Sequence, residues 1–181
     1  TASGVIFNED SGIVGEGAYL GDDSDLVNFG AEGIGTLLDG TNEMTISSWV
    51  NFESRSDLEG PMVFFVSSSS AFFTIRVVST DELRVGFRSS GADALKYCPT
   101  TGFNFELNKN YHLVGEVDYA NDDIRFYIDG NLVCEDLSAG FAQTTLATPN
   151  SAYSDVLGKT GINPSQYAFD GSIDEVRIYN R

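Results

Sequence analysis

Three arginines on one short stretch are the residues most suited to recognition chemistry. Arg76 lies in the run 72–78, and Arg84 and Arg88 lie in the run 83–88. Period two along the second run places Arg84, Gly86 and Arg88 on one face and Leu83, Val85 and Phe87 on the other, so the arginines share a face turned away from the core. Lys96 follows just beyond. The whole chain has 10 cations against 27 carboxylates, a formal charge of −17, so this grouping stands out against an acidic background. A guanidinium presents a planar fork suited to a carboxylate or sulfate. The reading is a groove for an acidic polysaccharide, with Gly86 leaving room for the ligand to approach. The alternative is a solvated face whose arginines pair with nearby Asp or Glu. Tyr97, Tyr153 and Tyr167, in loop-like segments, are candidates for stacking on sugar rings. Trp49 reads as core.

Candidates for catalysis are fewer. His112, the single histidine, shares a strand face with Glu116 and Asp118 by even spacing. An acid–base role for it requires exposure and partners in a cleft, and a structural role is the expectation. Retaining glycoside hydrolysis requires two carboxylates about 5 Å apart, and no Glu-x-Asp-x-x-Glu cluster occurs on a groove strand. Cys98 and Cys134 are too few for a structural zinc site and wrongly spaced for a CxxC redox pair. A disulfide between them is expected, as in exported proteins; two buried free thiols remain the alternative.

The elements that must position these groups are short strands. The 19 glycines, with dense Ser, Asn and Asp, punctuate the chain at intervals of a few residues. Residues 44–52 alternate, with Met44, Ile46 and Ser48 on one side and Thr45, Ser47 and Trp49 on the other. Runs 63–66, 72–78 and 83–88 form consecutive antiparallel neighbours, and residues 79–82 connect the last two. Run 111–119 alternates again. Residues 124–128 and 132–134 form a hairpin across Asp129-Gly130-Asn131, where glycine supplies a positive φ. The last run, 172–179, sets Ile173, Glu175, Arg177 and Tyr179 opposite Asp174, Val176 and Ile178. No helical periodicity of length appears, and residues 33–38 read as at most one turn. Nine or more short antiparallel strands predict an all-β fold, a two-sheet antiparallel β-sandwich of jelly-roll kind, as a single domain over 1–181.

The excess of acid repels polyanions at long range, which argues against nucleic acid and an acidic membrane surface as partners. No run approaches the length of a membrane helix. The chain reads as a mature or excised segment.

Five segments in order resemble the concanavalin A-like, laminin G-like jelly-roll family. They are Gly17-Ala18-Tyr19-Leu20-Gly21-Asp22-Asp23, Met44-Thr45-Ile46-Ser47-Ser48-Trp49-Val50, Tyr111-His112-Leu113-Val114-Gly115, Ile128-Asp129-Gly130-Asn131-Leu132-Val133, and the closing run from Phe169-Asp170-Gly171 to Ile178-Tyr179. Residues 60–105 carry no family motif. The resemblance implies curved sheets and a monomeric, non-catalytic carbohydrate-binding module attached to a larger secreted or surface protein. The ligand class expected is a polysaccharide such as a uronate or sulfated galactan. The alternatives are a laminin G-like adhesion or protein-interaction domain and, second, a jelly-roll polysaccharide lyase or glycoside hydrolase. Asp81-Glu82-Leu83-Arg84 is similar to one lyase motif, but the lyases' Gln-Ile-His segment is missing.

The resemblance also implies a structural calcium near where the termini meet. Glu9, Asp10, Asp22, Asp23 and Asp174 fall in the segments concerned, and calcium takes six to eight oxygens from such loops. Asp174 is the leading candidate, because the side it shares with Val176 and Ile178 is a poor place for a carboxylate without a cation or donors.

Overall fold

The computed structural model describes residues 2–3, 5–8, 12–21, 25–31, 38–54, 61–67, 70–78, 82–90, 92–147, 154–158 and 169–181. Among them are fourteen strands and no helix. In chain order they are β1 (Ala2–Ser3), β2 (Ile6–Asn8), β3 (Gly17–Leu20), β4 (Leu26–Ala31), β5 (Glu43–Phe52), β6 (Pro61–Ser67), β7 (Ser70–Val78), β8 (Glu82–Phe87), β9 (Lys96–Pro99), β10 (Asn110–Asp118), β11 (Asp123–Ile128), β12 (Asn131–Asp136), β13 (Ser154–Leu157) and β14 (Gly171–Tyr179). The expected turn at 33–38 falls almost wholly outside the described residues.

Two seven-stranded sheets result. The first runs β1-β4-β13-β6-β7-β8-β9 and the second β12-β11-β10-β5-β14-β3-β2, with antiparallel pairing throughout. This is the antiparallel β-sandwich that alternation predicts. The first sheet buries Phe73, Ile75, Val77, Leu83, Val85 and Phe87; against them the second sets Met44, Ile46, Val50, Leu113, Phe126 and Ile173. Gly115 fixes the closest approach of the sheets, since a Cβ there would sit 2.5 Å from Val85 Cγ2. The β11–β12 hairpin is a two-residue turn in which Asp129 (φ 51°) and Gly130 (φ 77°) both adopt left-handed backbone, the geometry that matches strand twist.

The closing strand departs from simple alternation. On β14, Asp174 faces Trp49 and Arg177 faces Ser47, so Glu175 and Val176 together oppose one residue of β5. Glu175 takes φ 50° to make this bulge. The extra residue reverses parity: Ile173 and Ile178 are opposite core-facing Val50 and Ile46, while Asp174, Arg177 and Tyr179 share the outer face. This corrects the expectation that Asp174 shares a side with Val176 and Ile178. Trp49 is corrected by the same register. It stands half-buried on the outer face of the second sheet, beside His112 with ring centroids 5.0 Å apart, because the core side of β5 belongs to Met44, Ile46, Ser48 and Val50.

Cys98 and Cys134 form a disulfide. Each belongs to a strand at the margin of its sheet, β9 in the first and β12 in the second. The bond therefore ties the two sheets together along one side of the sandwich.

Candidate functional site

The outer face of β7, β8 and β9 carries the arginines, and register fixes how they meet. Arg76 is opposite Arg84; Thr74, Gly86 and Tyr97 form the next row. Two like charges directly opposite are unfavourable, and an aromatic ring relieves them here. Arg76 Cζ lies 5.0 Å and Arg84 Cζ 5.6 Å from the centroid of Tyr97, within cation–π range. Arg84 also forms an ion pair with Glu82.

Gly86 serves the ring rather than the ligand, which corrects the reading of it as open space. A Cβ at Gly86 would lie 2.9 Å from Tyr97 Cδ1 and Cε1 and 3.1 Å from Thr74 Cγ2. Only a residue without a side chain lets Tyr97 lie across β8 at this point. Tyr97 itself belongs to strand β9, not to a loop.

Arg88 lies two positions beyond Gly86 on the same face, on the far side of the Tyr97 row. Burial pulls its guanidinium below the ordinary arginine range, while Tyr97 and Asp93 act in the opposite direction. Lys96 is separated from the arginines. It pairs in register with core-facing Phe87, and its ammonium is 3.8 Å from where a Cβ of Gly140 would stand, at the rim of the sandwich.

That rim is held by carboxylates that sequence reasoning did not single out. Asp93 accepts from the Ser89 hydroxyl at 2.7 Å and from the Ala142 amide at 3.2 Å, and Ser89 Oγ accepts from Gln143 N at 3.1 Å. Burial pushes Asp93 up, but these bonds and Lys96 outweigh it, and the carboxyl titrates below its usual range. Asp122 takes the Gly140 and Phe141 amides at 2.8 and 2.7 Å. The segment 139–143 is thus pinned beside Asp93 and Lys96.

Buried polar atoms without a hydrogen-bond partner among the described residues are Ser48 Oγ, Thr74 Oγ1, Arg76 Nε and Arg88 Nε. Three of these four surround Tyr97. These atoms are enclosed by the protein, and an unmade bond at a buried group costs about 1–3 kcal/mol. Thr74, at even spacing from Arg76, was the sequence signal for its membership.

The remaining candidates lie apart. His112 is on the opposite sheet's outer face. Asp118 on that strand is engaged by the Ala120 and Asn121 amides at 2.9 Å each, which cap a turn; burial raises its titration, but these bonds and Asn121 lower it overall. Asp174 accepts from Ile13 N at 2.7 Å and Val14 N at 3.0 Å on one oxygen and from Glu175 N at 2.7 Å on the other. Its compensating donors are backbone amides. Among the described residues no group of three or more His, Cys, Asp or Glu is placed to hold a metal. Glu9, Asp10, Asp22 and Asp23 lie outside the described residues, as do Tyr153 and Tyr167.

Two seven-stranded antiparallel sheets, with a cation-rich outer face and a disulfide across their margins, define a jelly roll of the kind found in lectin-like domains. The family model for the concanavalin A-like lectin/glucanases superfamily matches residues 22–181, and the chain belongs to that family. No curated protein matches it. Among solved structures it is similar to domain 4 of AbnA, an extracellular GH43 arabinanase of Geobacillus stearothermophilus, in complex with arabinotriose. The identity there is 22%, the coverage 98% of this chain and 75% of that one, and the TM-score 0.63. It is similar to the CBM40 of Ruminococcus gnavus IT-sialidase bound to α2,3-sialyllactose, at 14% identity, 100% and 92% coverage and TM-score 0.61. Domains LG4-5 of mouse laminin α1 align at 13% identity over 90% of this chain and 40% of that one, with TM-score 0.60. At these identities the likeness is one of fold.

Proposed function

We propose that the chain is a non-catalytic carbohydrate-binding module, monomeric and attached to a larger exported protein, whose ligand is a polysaccharide bearing carboxylate or sulfate groups. The ligand lies across the outer face of β7–β9, on Arg76, Arg84, Arg88 and Tyr97. The observation that carries this reading is the grouping of Arg76, Arg84 and Arg88 about Tyr97 on one outer face of a chain with 10 cations against 27 carboxylates, because guanidinium forks suit the anionic oxygens of such a polymer. Similarity to an arabinanase domain crystallised with arabinotriose and to a CBM40 crystallised with sialyllactose supports the sugar-binding part. The disulfide supports export. Among the described residues, the carboxylates Glu82 and Asp93 beside the arginine face are committed to Arg84 and to the rim segment, which supports binding over turnover.

One observation favours protein recognition instead. Ile6 and Phe7, on the strand at the opposite margin of the second sheet, are 54% and 52% exposed, apolar side chains suited to a protein partner. Electrophoresis in gels containing alginate, carrageenan or neutral glucan separates the readings. Retardation by the acidic gels, abolished when Arg76, Arg84 and Arg88 are all replaced by Ala, is the expected result. Equal mobility in every gel refutes the proposal.

A further inference from the structure

Resting on the proposal above, we infer that the face reads two separate anionic groups on an internal stretch of polymer, with Tyr97 as the divider between them. The argument begins with register. Arg76 and Arg84 occupy one row, Thr74, Gly86 and Tyr97 the next, and Arg88 lies two residues past Gly86, just beyond the end of β8. At the rise of a strand, four residues from Arg84 to Arg88 span about 13 Å, a distance longer than one pyranose ring. The Tyr97 ring fills the middle of that span, since it lies over Gly86 and touches the place a Cβ would take.

The two sides differ in kind. The first holds two guanidinia against the Tyr97 ring, one of them shared with Glu82. The second holds Arg88 alone, partly desolvated, with the Tyr97 and Asp93 side chains near enough to act on its charge. Guanidinia on both sides of one ring match a ligand with an anionic group on either side of it. A sugar residue between the two charged ones passes over Tyr97. The first side, with more positive charge, is the principal subsite, and Arg88 rewards length.

Isothermal titration with a size series of uronate oligosaccharides, from one to six residues, tests this on the intact chain. The expected result is a steep gain, tenfold or more, between the monosaccharide and the trisaccharide, with little further gain beyond. Arg88→Ala should remove that gain and weaken the trisaccharide and longer oligomers far more than the monosaccharide, while Arg76→Ala should weaken every length. Arg88→Lys, which keeps charge without the fork, should recover part of the gain. Thermal melts confirm that each variant is folded. A monosaccharide binding as tightly as the hexasaccharide overturns the two-subsite reading and leaves carbohydrate binding standing, as does an Arg88→Ala loss that is equal at all lengths. Absence of binding by every length and by the parent polymers overturns both.

Discussion

Reducing the Cys98–Cys134 disulfide should destabilise the fold by about 4 kcal/mol. The bond closes a loop with a sequence separation of 36. The chain-entropy relation then gives about 13 cal/mol/K of denatured-state entropy removed by the cross-link, which is about 3.8 kcal/mol at 25 °C. Two features of the structure favour the full value. Cys98 is fully buried within the core, and the strands joined are margins of different sheets, so no ladder hydrogen bond between β9 and β12 duplicates the restraint. For a domain of this size the loss corresponds to a fall in Tm of about 8–16 °C. The assay is urea unfolding of oxidised and reduced protein, with thiol state verified by mass. The reduced form should also show a larger m, since its unfolded chain is less compact. Unfolding free energies that agree to within about 1 kcal/mol would refute the reasoning, because they would mean that packing holds the sheet margins without the bond.

Gly86→Ala should displace the Tyr97 ring and weaken retention in acidic gels several-fold while shifting Tm by only a few degrees, because the obstructing atoms belong to a side chain that can move. A variant with wild-type retention contradicts the role given to that ring. Asp93 titrates lower in the folded state than in the unfolded one, so its stabilisation is present above the usual carboxylate range and lost as pH falls through the lowered value. Asp93→Asn should therefore cost about 1–3 kcal/mol at neutral pH and flatten the acid side of the stability profile below about pH 4; an unchanged profile contradicts this. With a formal charge of −17, affinity for a polyanion should rise as salt increases from 0.01 to 0.1 M, where the screening length shortens from about 30 to about 10 Å, and fall at higher salt as the arginine contacts weaken. A monotonic decline from the lowest salt would remove the long-range repulsion from the account.

Strand positions were legible because period two survives in sequence wherever one face is buried, as in 44–52 and 83–88. The β11–β12 hairpin was legible because Asp-Gly chemistry is local. Trp49 was misassigned since β5 has small serines on both sides, and composition alone did not tell which side faced the core. The bulge at Glu175 has no local signature. The arginine face was readable, but its organiser was not. Tyr97 sits on a four-residue strand, and its place over Gly86 depends on pairing between strands separated by a loop. Asp93 meets Ala142 across 49 residues, a relation that no short-range pattern encodes.

The bulge of β14 sets a reading frame for the last strand. Two residues stand opposite Ser48, so deleting either Glu175 or Val176 would leave Arg177 opposite Ser47 and Ile178 opposite Ile46, each on its present face. The bulge is thus the one place in this strand where length can change without turning the core outward. Variants shortened by one residue here should fold with Ile173 and Ile178 still inward, losing only the bulge.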